Sequence, residues 1–166
     1  MSIKIDLLNS SLNKKDFKCG KEMLDNYLHT QASQDVRRKL CVVFAMFEGT
    51  IIKGYYTLSN ASIPSELIPE GIKKIMPRSY QALPVTLLGR LAIDEKFKGQ
   101  GLGGILLLDA LKRSYQIASR SLGSIAVIVD PLDIEALAFY EKFGFVNLPD
   151  SEKMFMPMAD IAQLEF

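Results

Sequence analysis

The apolar positions change period several times along the chain, and each change marks an element. Ile3 to Leu8 alternates apolar and polar residues, which predicts a first strand, and the polar run Asn9 to Lys15 predicts a loop after it. From Lys21 the period becomes helical. Met23, Leu24, Tyr27 and Leu28 make an apolar stripe, and a polar surface continues towards Arg37, Arg38 and Lys39 at a dipole-complementing end. Leu40 to Phe47 and Ile51 to Ala61 are β-type runs on either side of Glu48-Gly49-Thr50, which predicts a hairpin. From Ser62 to Pro84 the prolines at 64, 69, 77 and 84 predict an irregular segment with at most a short helix over 71–76.

In the second half, Val85 to Ile93 is apolar enough to predict a central strand buried on both faces. A helix is expected after the glycines at 99–104, running to about Ser119, with Ile105, Leu108, Leu111, Lys112 and Tyr115 on its spacing and Gly123 at its exit. Ile125 to Val129 reads as a second buried strand and Ile134 to Lys142 as a short helix closed by Phe143-Gly144-Phe145. Met154 to Met158 reads as a last strand and Ala159 to Phe166 as a short tail. The order is that of a mixed α/β domain with an antiparallel front half and a β-α-β crossover behind, and 166 residues suit a single domain over 1–166.

Charge and chemistry narrow the classes. Twenty basic residues against nineteen acidic ones give a net charge of +1, so no global basic field announces a nucleic-acid binder, and any such contact must use local patches. With Cys19 and Cys41 the only cysteines and His29 the only histidine, neither a disulfide framework nor a zinc ligand set is expected, and both thiols read as buried or inert. Met1 to Asp6 lacks the features of a signal peptide, and no run reaches a membrane span. A soluble, cytoplasmic protein with no membrane partner and no metal is expected.

One stretch carries the candidate chemistry. Leu88 to Asp94 leads through Glu95 to Lys98 into Gly99-Gln100-Gly101-Leu102-Gly103-Gly104, a strand, a glycine-rich turn and a helix whose first N–H groups stay open for an anion such as a pyrophosphate. Gly99, Gly101 and Gly104 also satisfy the dinucleotide pattern G-x-G-x-x-G, with Asp130 at the end of the next strand. Spacing tells against that reading. Asp94 to Lys98 hold the glycines away from the strand end, and the chain has no room for a second mononucleotide-binding half.

These residues resemble the GNAT-type acyltransferases, whose acetyl-CoA loop has the frame Gln/Arg-x-x-Gly-x-Gly/Ala; here it falls on Lys98 to Gly103, with a lysine in first position. A second match is the tyrosine before a Gly-Phe in Ala138-Phe139-Tyr140-Glu141-Lys142-Phe143-Gly144-Phe145. Gly54 to Ser59, Pro84 to Asp94 and Val127 to Asp130 further resemble the GNAT toxins of bacterial toxin-antitoxin pairs, a likeness running from about Phe17 to Met158. It implies a GNAT-like mixed, mostly antiparallel sheet of six to seven strands flanked by helices. It also implies an acetyl-CoA-dependent N-acetyltransferase that acetylates the α-amino group of aminoacyl-tRNA and blocks translation. A ribbon-helix-helix antitoxin is the implied partner, and a homodimer is left open.

The resemblance assigns Tyr140 as the general acid that donates to the departing sulfur. The backbone of Leu91, Ala92 and Ile93 would take the thioester and pantetheine as an added strand, and Lys98, Gly99, Gly101, Gly103 and Gly104 would bind the pyrophosphate. Phe139 and Asp133 fall beside the cofactor, Asp133 where many members carry an asparagine. For tRNA phosphates the candidates are Arg37, Arg38, Lys39, Lys73, Lys74, Arg78 and Arg90, the last inside an apolar strand where a charge must be paired or face a cleft. No general base stands out, although Glu48, Asp94 or a water relay would serve. An α-amine, with a pKa of about 7.7–8.0, needs such help less than a lysine near 10.4. Transfer to a small amine or a protein amino group, and a non-catalytic acyl-CoA-binding module in which Tyr140 merely packs like Phe139 and Phe143, are the alternatives.

Overall fold

The computed structural model describes residues 2–164, so Met1 and the last two tail residues, Glu165 and Phe166, lie outside the described residues. Seven strands form one mixed, mostly antiparallel sheet in the order β1-β2-β3-β4-β5-β7-β6, with helices flanking it. The chain divides into two compact units, 2–59 with 88–110 and 60–87 with 111–164. No helix among the described residues is long and apolar enough to cross a membrane.

In the first unit, β1 (Lys4–Leu7) pairs antiparallel with β2 (Val42–Glu48), and β2 turns through Gly49 and Thr50 into β3 (Ile51–Pro64) as the hairpin pattern predicts. The helical stretch from Lys21 is interrupted: α1 (Glu22–Asn26) and α2 (Ala32–Arg37) are joined by a π-helical segment, Tyr27–Gln31. Met23, expected on the apolar stripe, is 67% exposed, whereas Asp25 is buried. The physical reason is hydrogen bonding. The Asp25 carboxylate accepts the N–H groups of Cys19 at 2.7 Å and Gly20 at 3.3 Å, so an inward carboxylate satisfies backbone donors that a methionine would strand. Around it the core gathers Phe17, Tyr27, Leu28, Ala32, Val43 and Tyr55.

In the second unit the proline-rich segment is shorter than expected, because β3 extends to Pro64 and β4 (Ala82–Ile93) begins before Val85, leaving α3 (Glu70–Lys73) between them. Leu83 and Val85 join Ile63, Ile68, Ala126 and Phe155 in this unit's core. Along β4 burial alternates, with Pro84 and Gly89 exposed, so the strand is not buried on both faces as its composition suggests. The crossover is present: α4 (Leu102–Arg120) leads to β5 (Ala126–Val129), parallel to β4. Its inward face carries Leu106, Leu107, Ala110 and Leu111, and Ile105, expected on that face, is 53% exposed. After α5 (Ile134–Lys142) come the two-residue β6 (Val146–Asn147), which no sequence pattern announces, then β7 (Met154–Pro157) and α6 (Met158–Ile161).

Gly54 on β3 fixes the spacing at the end of β4 within the first unit. A Cβ there would stand 2.6 Å from Ile93 Cδ1, 2.8 Å from the Ala92 carbonyl oxygen and 3.2 Å from Leu106 Cδ2. Gly54→Ala is therefore expected to overpack the site and lower stability by about 1–3 kcal/mol. Urea unfolding checks this as a lower midpoint at an unchanged slope.

Candidate active site

The end of β4 is available for a ligand backbone. Only Thr86 and Leu87 are in register with β5, and among the described residues 88–93 have no registered partner on that side. The Asp94 N–H donates to the Lys53 carbonyl of β3 at 2.8 Å, so the strand is held on one side up to the point where the loop starts. Three-residue helix Glu95–Phe97 follows, then Lys98 in extended conformation, and then Gly99 (φ +82°) and Gly101 (φ +76°). Both glycines are exposed, and a Cβ at either position would meet nothing within 4 Å, so left-handed backbone rather than crowding demands glycine here. Successive turned amides of this kind, leading into the start of α4, where the first N–H groups have no partner within the helix, suit an anion.

The loop is clasped from behind by 17–20. Asp94, 1% exposed, accepts the N–H of Lys18 at 3.0 Å, the N–H of Lys96 at 2.9 Å and the Lys96 ammonium at 3.2 Å. The Glu95 N–H donates to the Lys18 carbonyl at 2.8 Å, and Lys98 Nζ donates to the Cys19 carbonyl at 2.7 Å. Burial alone would raise the pKa of Asp94, but the backbone N–H groups of Lys96 and Lys18 and the Lys96 ammonium outweigh it and hold the carboxyl below its ordinary range. With its oxygens occupied, Asp94 is a loop fastener and not a base. Glu48, the other candidate base, pairs with Lys53 at 3.1 Å.

The second unit presents the tyrosine. Asp133 caps α5, its side chain accepting the Ala136 N–H at 2.9 Å, and Tyr140 lies in the last turn, 7% exposed. Its ring meets Phe139 edge-on with centroids 5.3 Å apart and Phe145 at 5.3 Å, and the N–H groups of Phe143 and Phe145 both donate to its carbonyl at 3.1 Å. The Gly-Phe hook thus locks the turn that carries the phenol. Burial pushes the phenol's pKa above its ordinary value, so the hydroxyl stays protonated and is a donor, never a base, near neutrality.

A family model, the acetyltransferase (GNAT) domain, matches residues 38–147. The chain belongs to the GNAT acetyltransferase family. The chain is 36% identical over 133 residues, 80% of its length and 78% of the relative's, to a tRNA-acetylating toxin of Mycobacterium tuberculosis (strain ATCC 25618 / H37Rv). Among solved structures it is similar to a tyrosine-to-phenylalanine mutant of KacT (TM-score 0.90, 27% identity, covering 98% of this chain and 99% of that one). It is also similar to AtaT complexed with acetyl-methionyl-tRNAfMet (TM-score 0.88, 27% identity, 97% and 98% covered). A solved structure of AtaTR contains acetyl-CoA, and one of an AtaT mutant contains the C-terminus of the antitoxin AtaR together with acetyl-CoA.

As a GNAT enzyme the protein uses acetyl-CoA, and its residues sort by unit. Leu91, Ala92, Ile93, Lys98, Gly99, Gly101, Gly103 and Gly104 belong to the first unit with Arg37, Arg38, Lys39 and Arg90, while Asp133, Phe139, Tyr140, Lys73, Lys74 and Arg78 belong to the second. Arg37, Arg38 and Lys39 are exposed at the end of α2. Arg90 instead lies over the Tyr27 ring, 3.5 Å from its centroid, and Tyr27 donates its hydroxyl to Asp35 at 2.8 Å, so the charge in the apolar strand is answered by an aromatic face. Sequence reasoning missed Asp25, which holds the 19–20 segment, Gly54, which abuts Ala92 and Ile93, and Tyr27, which underlies Arg90. Gly54 carried a usable signal, a glycine inside a β-type run. Among the described residues, no group of three or more His, Cys, Asp or Glu side chains is placed to hold a metal.

Proposed function

We propose that the protein is a cytoplasmic toxin, a single GNAT domain that transfers the acetyl group of acetyl-CoA to the α-amino group of aminoacyl-tRNA and so stops translation, with a ribbon-helix-helix antitoxin as its neutralising partner. The free backbone edge of β4 running into the open glycine loop carries the reading, because it offers an extended thioester arm and a pyrophosphate adjoining seats. The acceptor is supported by the relationship to the tRNA-acetylating toxin and by the likeness to AtaT with its acetylated tRNA.

In the proposed reaction the neutral amine nitrogen attacks the thioester carbon, the C–S bond breaks, and the proton lost by the resulting ammonium balances the thiolate released. The backbone at Leu91 to Ile93 orients the carbonyl, Lys98 and the loop amides hold the pyrophosphate, with Phe139 and Asp133 beside the cofactor, and Tyr140 donates a hydrogen bond to the sulfur as charge develops. Lys98 must exchange the Cys19 carbonyl for phosphate oxygen, a trade that favours the anion because both partners are then charged. Arg37, Arg38, Lys39, Lys73, Lys74, Arg78 and Arg90 are the proposed contacts to tRNA.

Purified protein with acetyl-CoA is expected to silence cell-free translation, and mass spectrometry of the recovered aminoacyl-tRNA to find the acetyl group on the amino acid. Unmodified aminoacyl-tRNA alongside an acetylated peptide or polyamine would move the reading to the other acceptor class.

A further inference from the structure

The second unit holds a cavity of about 380 Å³ that the transfer reaction does not use. Its buried and half-buried walls are Leu83, Met76 and the small polar Ser65, and its exposed rim carries Lys73, Lys74, Arg78 and the ring of Tyr80, which is 56% exposed. In a chain with a net charge of only +1, cations gathered around one small hollow form a local field. A largely apolar hollow suits the flat face of a base, an exposed phenol ring suits stacking on it, and flanking ammonium and guanidinium groups suit the phosphates on either side. Glu70, also on the wall, offers an acceptor to a ribose 2′-hydroxyl.

We infer that this cavity seats one unpaired nucleotide of the RNA acceptor, stacked on Tyr80 with its phosphates held by Lys73, Lys74 and Arg78. The inference rests on the aminoacyl-tRNA reading for its biological ligand, but the binding chemistry stands apart from it. A paired base cannot enter, because its faces are covered by its neighbours and its edge by its partner. The site therefore selects unpaired RNA over a duplex of equal charge, and its aromatic member matters as much as its cations.

The test uses the full chain, labelled short single-stranded RNA and a duplex carrying the same number of phosphates, with binding followed by fluorescence anisotropy across a salt series. Single-stranded RNA is expected to bind more tightly than duplex, Tyr80→Ala to weaken it by about tenfold, and Tyr80→Phe to restore it to within about twofold, since stacking and not the hydroxyl is used. Lys73→Gln with Lys74→Gln is expected to flatten the salt dependence by about 0.7 in log–log slope for each phosphate no longer neutralised. In acetylation assays Tyr80→Ala is expected to raise KM for aminoacyl-tRNA while leaving KM for acetyl-CoA unchanged. Equal binding of single strand and duplex, with Tyr80→Ala indistinguishable from wild type, overturns the inference even if wild type acetylates aminoacyl-tRNA. Should wild type acetylate no aminoacyl-tRNA, the functional reading falls, and the anisotropy series still decides whether the cavity takes an unpaired nucleotide.

Discussion

Tyr140→Phe is expected to lower kcat for acetyl transfer by about 10²–10³-fold, the usual contribution of one hydrogen-bond donor aimed at developing charge. The substitution removes one oxygen and keeps the ring, so the contacts with Phe139 and Phe145 and the hook through Phe143 survive. Thermal unfolding should therefore change little, and acetyl-CoA binding, for which we propose the β4 edge and the glycine loop, should stay within about twofold. The pH profile separates a donor from a base. Because burial raises the phenol's pKa above the ordinary value, wild type should show only an ascending limb set by the acceptor amine, at about 7.7–8.0, and Tyr140→Phe the same limb at lower height. A phenol this weakly acidic does not hand its proton outright to a thiolate whose conjugate acid has a pKa of about 8.5; it stabilises the sulfur by hydrogen bonding while the ammonium supplies the balancing proton. Retention of more than about a tenth of wild-type kcat would return Tyr140 to a packing role.

The sequence made that residue legible because its surroundings are local. Ile134–Lys142 is helical over the span expected from its pattern, since its cap, Asp133, and its closing Gly-Phe lie within the same short stretch. The glycine loop is legible for the same reason: strand, turn and helix follow one another without interruption. What escapes is everything fixed at long range. Met23 rather than Asp25 looks like the inward residue until the N–H groups of Cys19 and Gly20 are seen to need an acceptor. The phase of α4 is displaced onto Leu106 and Leu107 because periodicity alone does not say which of two adjacent apolar stripes faces the sheet. Asp94 resembles a spare carboxylate in the sequence because its partner Lys18 lies 76 positions away.

That distance makes Asp94 the residue on which the glycine loop depends. Asp94→Asn replaces one acceptor oxygen by an amino group, so at least one of the Lys18 and Lys96 N–H groups must face a donor instead of an acceptor. Leaving such a buried group unsatisfied costs about 1–3 kcal/mol. The clasp built on it, Glu95 N–H to the Lys18 carbonyl and Lys98 Nζ to the Cys19 carbonyl, is expected to loosen, releasing the segment that presents Gly99 and Gly101. The result should be a KM for acetyl-CoA raised by about tenfold at nearly unchanged kcat, since the reacting atoms are untouched. Stability supplies the second readout. A carboxyl whose pKa is lowered on folding contributes stability that is full above the unfolded value of about 3.9 and is lost as pH falls through the lower folded value. Urea midpoints of wild type and Asp94→Asn should therefore differ most near neutrality and converge as the solution is acidified below about pH 4. A stability loss with that pH dependence but no change in KM would make Asp94 a support of the fold alone, and would leave the placement of the pyrophosphate to the glycines and the start of α4.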